Sequence, residues 1–254
     1  MLAELKGKTA LVTGASRGIG AATAVALAQA GCGRVVIHYH SYSQGAEEVC
    51  RKIKEAGAET EAISANLATR EGLTAFRERI SEDCPDVDIL INNAGSLVKR
   101  AGLVEFSDEL FDEVMDLNFR SAWFLAQECA PTMIRNGWGV IVNLSSIAAR
   151  NGGGPGATIY AASKAAVSAA TKGMAKELAP RGVRVNAVSP GTVDNHFHEV
   201  FSTDAMMDAA VKATPAGKLG TDEEVADVIV FLCSDAARFI YGQTIEINGG
   251  MYMV

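Results

Sequence analysis

A chain of 254 residues is long enough for one α/β domain with a substantial core, and two full domains would be a squeeze. An apolar fraction of 48% beside 21% charged residues is that of a globular protein. A formal net charge of -7 argues against the clustered basic surface a nucleic-acid partner calls for, and no apolar run approaches the ~20 residues that cross a bilayer. Five scattered cysteines (Cys32, Cys50, Cys84, Cys129, Cys233) with no C-x-x-C describe neither a disulfide framework nor a zinc site. With a charged opening segment that lacks an apolar signal core, they point to the cytoplasm and to no metal.

The first strand falls at 9–13 and runs into Thr13-Gly14-Ala15-Ser16-Arg17-Gly18-Ile19-Gly20, which opens a helix at 17–30. A glycine turn between strand and helix lets backbone approach a pyrophosphate, and the helix start offers unpaired N–H groups and partial positive charge. Gly14, Ser16, Arg17, Gly18, Ile19 and Gly20 are therefore candidate cofactor contacts; the bland alternative is a tight turn with no ligand. The G-x-x-x-G-x-G spacing departs from the commoner G-x-G-x-x-G.

A second strand at 35–39 ends in His38-Tyr39-His40-Ser41-Tyr42-Ser43. An acid here would accept hydrogen bonds from a free ribose 2′-hydroxyl, but none occurs before Glu47. Arg17 can present a guanidinium to a 2′-phosphate, so NADP(H) is favoured over NAD(H), with Tyr39, His40 and Ser41 as further contacts. Short apolar runs and helical patterns then alternate: helix 43–56, strand 60–64, helix 70–83, strand 87–91, helix 108–135, strand 140–144, helix 158–179, strand 183–188, helix 222–234 and strand 244–247. Alternation of this kind predicts one doubly wound parallel sheet with helices on both faces. One stretch, 190–217, breaks the rhythm and reads as an irregular substrate loop.

Tyr160 and Lys164 lie four residues apart in an alanine-rich helix, so the phenol and the ammonium share one face. A phenol near pKa 10 shuttles protons poorly at neutral pH, and a fixed cation beside it lowers that value. The spacing predicts an acid–base pair with an acidified tyrosine.

Thr13-Gly14-x-x-x-Gly18-x-Gly20, Asn92-Asn93-Ala94-Gly95, Asn118, Ser146, Tyr160-x-x-x-Lys164, Pro190-Gly191 and the tail through Asn248-Gly249-Gly250 occur in order along the whole chain. Together they resemble the short-chain dehydrogenase/reductase family. The resemblance implies Tyr160 as general acid or base, Lys164 binding the nicotinamide ribose, Ser146 bonding the substrate oxygen, and Asn118 holding a water that links Lys164 to solvent. It also implies cofactor contacts at Asn66, Leu67, Asn93, Ala94, Gly95, Pro190, Gly191, Thr192 and Val193. Three departures stand out. Ser146 precedes Tyr160 by fourteen residues where the family has thirteen, an excess that the segment 149–156 can absorb; Ser145 is the alternative serine. Asn195 replaces a threonine, and Asn66 an aspartate.

The sequence is similar to 3-oxoacyl-carrier-protein reductases and to sugar or polyol dehydrogenases, which implies a small carbonyl or alcohol substrate. Arg135 and Arg181 supply little of the basic patch an acidic carrier protein would want. Pocket residues are expected from Ser96 and Leu97 onward, from 150–154, and from Val193, His196, Phe197 and Phe201. Lys99, Arg100 and Arg150 read as solvated loop charge before they read as receptors for an anionic substrate. A homotetramer is expected by the same resemblance, through the Asn118 and Tyr160 helices and the C-terminal strand. A non-catalytic dinucleotide-binding scaffold is the rival of another class, and a missing serine, tyrosine or lysine would have favoured it.

Overall fold

The computed structural model describes residues 5–254. Among these, seven strands form a parallel sheet in the order β3-β2-β1-β4-β5-β6-β7. They are β1 (Thr9–Val12), β2 (Arg34–Tyr39), β3 (Glu59–Ser64), β4 (Ile89–Asn92), β5 (Gly139–Leu144), β6 (Val183–Pro190) and β7 (Thr244–Ile247). The connections carry α1 (Gly18–Gln29), α2 (Ser43–Glu55), α3 (Arg70–Asp83), α4 (Asp108–Met115), α5 (Ser121–Asn136), α6 (Ala148–Asn151), α7 (Thr158–Leu178), α8 (His196–Phe201), α9 (Asp204–Ala213) and α10 (Asp222–Cys233). Strand order reverses between β1 and β4, and β2 and β4 both pair with the same residues of β1: Ala10 is level with Val35 on one side and Ile89 on the other. A crevice opens beyond the strand ends at such a switch point.

Parallel strands buried on both faces need apolar residues at every position, and successive side chains then feed two separate cores. Ala10, Val12, Val35, Ile37, Ile89 and Ile91 pack with Leu27, Val49, Ile53, Ile229 and Leu232 from α1, α2 and α10. The intervening Leu11, Val36, Leu90 and Ile141 pack with Leu73, Phe76, Ile80, Leu125 and Met133 from α3 and α5. No helix among the described residues is long and apolar enough to cross a membrane.

The predicted doubly wound sheet is the observed one, and its strands fall within two residues of the expected bounds. Two expectations need correction. The single helix expected over 108–135 is interrupted by a π-helical turn at Asp116–Arg120, which carries Asn118. Such turns insert one residue and recur at functional sites. The stretch 190–217, expected to be irregular, holds α8 and α9. Neither helix buries a residue, so neither displays the apolar stripe that a periodicity reading detects. Their starts were nonetheless written in the chain: Asn195 accepts the N–H of Phe197, and Thr203 that of Met206.

Candidate active site

The glycine turn follows β1 and is pinned from the β4 side. Thr13 Oγ1 accepts the N–H groups of Asn93 and Ala94, each at 3.0 Å, while Asn93 Nδ2 donates to the carbonyls of Thr13 and Gly14 at 2.8 and 3.0 Å. Gly14 has φ 63°, and a Cβ there would lie 3.0 Å from Ala94 Cα, so no larger residue fits without strain. Gly20 packs tighter still: its Cβ would stand 2.4 Å from Asn93 Nδ2. Arg17 is the N-cap of α1, and no side chain caps that helix. Its first-turn N–H groups are thus left for an anion, and Arg17, Gly18 and Ile19 line the cleft. This cradle fits a dinucleotide pyrophosphate.

At the end of β2 the Arg17 guanidinium stacks over the Tyr42 ring, 4.2 Å from its centroid. Gly45 makes room for that ring, since a Cβ there would approach it to 2.3 Å. His40 and Ser41 are exposed beside it, and Tyr39 is half-buried. Ser16, Tyr39, His40, Ser41, Asn66 and Leu67 lie outside the walls of the main cleft, in the turn after β1 and at the ends of β2 and β3. Asn66 Oδ1 accepts the N–H of Ala68 at 3.0 Å and shapes the turn after β3. The Leu67 side chain is 2% exposed in the α3-side core, which leaves only its backbone for a ligand. Sequence reasoning passed over His38, whose buried ring bonds both the glycine turn and the turn after β3.

At the other end of the cleft Ser146, Tyr160 and Lys164 come together with Gly95 and the Pro190–Val193 segment. Lys164 is buried, and its Nζ donates to the Leu144 carbonyl at 2.8 Å. Nζ lies 5.8 Å from the Tyr160 ring centroid. A Cβ on Gly95 would meet Asn118 Oδ1 at 2.6 Å and Lys164 Nζ at 2.8 Å, so glycine is required where these three converge. The π-turn points the Asn118 amide at the same loop: Nδ2 donates to the carbonyls of Ser96 and Val114, and Oδ1 accepts the Ser96 N–H. Ser145 is spoken for inside the fold, its hydroxyl bonding the Lys164 carbonyl and Ser168. Ser146 Oγ accepts the Ala148 N–H at 3.1 Å and lines the cleft with Tyr160, whose pKa it lowers. The extra residue between Ser146 and Tyr160 is taken up by α6 and a loop with Gly152, Gly153 and Gly156 at positive φ.

The acidified phenol expected from the sequence is not what the protein's own side chains produce. Burial pushes Tyr160 up to about 12, and the Ser146 hydrogen bond only partly offsets this. Lys164 does not pull it down: burial lowers its own value to about 8, so the amine is neutral before the phenol ionises.

The cleft encloses about 620 Å³. Opposite Tyr160, α8 and α9 form an apolar lid. Phe197 stacks 5.8 Å from the Tyr160 ring and 5.1 Å from Phe201, with Val200, Met206, Met207 and Met251 extending that wall. Arg100 is a tether: Nε donates to the Phe201 carbonyl at 2.8 Å and a second guanidinium nitrogen to Pro155 at 2.7 Å. Arg150 pairs with Glu246 at 2.8 Å. Asn195, in place of the familial threonine, caps α8 and donates to Asp222 at 2.7 Å. The lid methionines went unlisted in the sequence reading because α9 has no buried stripe to mark it.

The family model described as Enoyl-(Acyl carrier protein) reductase matches residues 14–252. The chain is 39% identical over 246 residues to the 3-oxoacyl-(acyl-carrier-protein) reductase FabG of Staphylococcus aureus, covering 97% of this chain and 98% of that protein. The FabG of Haemophilus influenzae is 36% identical over 249 residues, 98% of this chain and all of that one. Among solved structures, a protein described as an NAD(P) dependent gluconate 5-dehydrogenase from Beutenbergia cavernae, with NADP bound at low occupancy, superposes with a TM-score of 0.90 at 37% identity and 98% coverage of each chain. Acetoin dehydrogenase YohF from Salmonella typhimurium superposes with 0.84 at 31% identity, covering 96% of this chain and 97% of that one. The chain belongs to the short-chain dehydrogenase/reductase family. It is an NAD(P)-dependent oxidoreductase acting on CH–OH groups.

Proposed function

We propose that the protein is an NADP(H)-dependent reductase of 3-oxoacyl thioesters, working by hydride transfer with Tyr160 as the general acid. The observation that carries this reading is one cleft holding an uncapped glycine turn at one end and the Ser146–Tyr160–Lys164 group at the other. A nicotinamide held beside Gly95 and Pro190 to Val193 would supply the hydride. Ser146 donates a hydrogen bond to the carbonyl oxygen as charge grows on it, and Tyr160 gives that oxygen its proton. A phenol near 12 is still a far stronger acid than an aliphatic alcohol, so that transfer runs downhill. Lys164, protonated below about 8, offers its remaining N–H groups to the nicotinamide ribose. Asn118 fixes the Ser96 loop and, by the family resemblance, orders a water behind Lys164.

Gly14, Ser16, Arg17, Gly18, Ile19 and Gly20 would form the phosphate turn, with Gly20 serving by close packing. Asn93, Ala94, Gly95 and Pro190 to Val193 would flank the nicotinamide half. Arg17 backed by Tyr42 favours a 2′-phosphate, and NADP in the Beutenbergia structure agrees. The aromatic and thioether lid suits an acyl chain, as do the FabG relatives. A sugar or polyol dehydrogenase is the second reading, favoured by Asn151, His196 and His198 at the cleft and by the gluconate dehydrogenase likeness. A panel of 3-oxoacyl thioesters, keto-sugars and simple ketones, followed at the nicotinamide absorbance, decides between them. Highest kcat/KM on a thioester is the expected result; highest kcat/KM on a keto-sugar would replace the first reading with the second. A cytoplasmic location and a homotetrameric assembly are part of the same proposal.

A further inference from the structure

We propose that His38 is a positioning residue for the cofactor, its neutral imidazole tying the phosphate turn at Gly14 to the turn after β3 at Ala65. The inference rests on the dinucleotide reading of the cleft. His38 sits in β2 with 2% exposure, on the face that meets α3, its ring 4.8 Å from that of Phe76. The Gly14 N–H donates to Nδ1 at 3.1 Å, so Nδ1 must carry a lone pair. The proton then resides on Nε2, which donates to the Ala65 carbonyl at 3.1 Å. Burial, the main influence on this ring, lowers its pKa to about 4, in keeping with a neutral bridge.

A buried histidine is most often a satisfied core residue. This one differs in its partners: both bonds leave the core and end on the loops that follow β1 and β3, the first of which lines the cleft. The backbone of β2 reaches the same loops, since the Ala15 N–H donates to the His38 carbonyl at 2.8 Å and the Ala65 N–H to that of Tyr39 at 3.0 Å. Those bonds set the spacing of the main chain. The ring fixes what they leave loose, namely the orientation of the Gly14 peptide at its left-handed φ. With Asn93 gripping the Thr13 carbonyl from the β4 side, the Thr13–Gly14 peptide is held at both ends. An imidazole suits this post because it places one acceptor and one donor on opposite edges of a rigid ring.

Three variants separate the two bonds. His38→Asn keeps an amide oxygen near the Nδ1 position and loses the reach to Ala65. His38→Gln extends an amide nitrogen toward Ala65 and loses the acceptor for Gly14. His38→Leu loses both. The readouts are NADPH affinity by fluorescence titration, competition by ADP and by nicotinamide mononucleotide, and kcat at saturating NADPH. The expected result for His38→Leu is NADPH and ADP affinity weakened about tenfold or more, with mononucleotide competition and kcat within about twofold of wild type. His38→Asn should recover most of the loss and His38→Gln less. Wild-type NADPH and ADP affinity in both His38→Leu and His38→Gln would overturn the proposal, as would a fall in kcat matching the loss of affinity. Should the leucine variant not fold, the asparagine and glutamine variants decide by themselves: glutamine binding as well as asparagine overturns it. A wild-type protein that binds neither NADPH nor ADP overturns the reading of the cleft itself.

Discussion

Lys164 changes charge near 8, whereas Tyr160 keeps its proton up to about 12. Burial lowers the first because it disfavours the ammonium, and raises the second because it disfavours the phenolate. Around neutral pH the site therefore holds a protonated phenol and a protonated lysine, the state that donates a proton to a carbonyl oxygen. As pH rises through about 8 Lys164 becomes neutral, so carbonyl reduction at saturating NADPH should fall along a limb centred there. Lys164→Arg, which stays charged, should lose that limb; a limb surviving unchanged in this variant would assign it to another group. At the phosphate end, Arg17→Ala should lower the NADPH-over-NADH preference by about tenfold or more, since a charge-assisted bond to phosphate is worth ~1.5–3 kcal/mol. Paired titrations check this, and an unchanged ratio would mean another residue reads the 2′-phosphate. Both groups were legible in the sequence as residues, but their electrostatics were not. The spacing Tyr160-x-x-x-Lys164 gives a shared face, while the direction of Nζ toward Leu144 follows from where β5 ends.

The lid is the element the sequence concealed. Strands were legible because both faces of the sheet are buried, so β1, β2, β4 and β5 read as short, mostly apolar runs. α8 and α9 bury nothing in the core, and Phe197, Val200, Phe201, Met206, Met207 and Ala210 line the cleft. Only their caps, Asn195 and Thr203, could have announced them. The tether from Arg100 to the Phe201 carbonyl was likewise hidden, since a loop arginine reads as solvated charge. The ring of Phe197 lies against that of Tyr160 in the cleft. Phe197→Ala should therefore raise KM for an acyl thioester about tenfold, from ~1.5–3 kcal/mol of lost apolar contact, and leave NADPH affinity within twofold. Steady-state kinetics beside a fluorescence titration make the test. Equal losses in both quantities would show that the lid serves the cofactor instead.

At the scale of the molecule, strand order places the ends of β1, β4, β5 and β6 around one crevice, and each contributes a piece of the site: the glycine turn, Asn93 to Gly95, Ser146, and Pro190 to Val193. The doubly wound parallel sheet was inferable from alternation; the strand order that gathers these ends was not. The molecule's surface suggests what assembles on it. Phe111 and Trp123 are exposed on α4 and α5, and Phe239, Met253 and Val254 at the C-terminal end. Exposed apolar side chains in two parts of the chain suit the proposed tetramer with two kinds of contact. Sedimentation should give four times the chain mass; a stable monomer at micromolar concentration would refute it. The central claim is narrower: a proton passes from Tyr160 to a carbonyl oxygen that receives hydride. The direct test is the rate of NADPH oxidation with acetoacetyl-coenzyme A in purified Tyr160→Phe, run beside an NADPH titration of the same sample. A fall of about 10²–10⁴-fold or more in turnover with NADPH affinity unchanged is the predicted result, on the scale of a lost general acid. Wild-type turnover in that variant would contradict it.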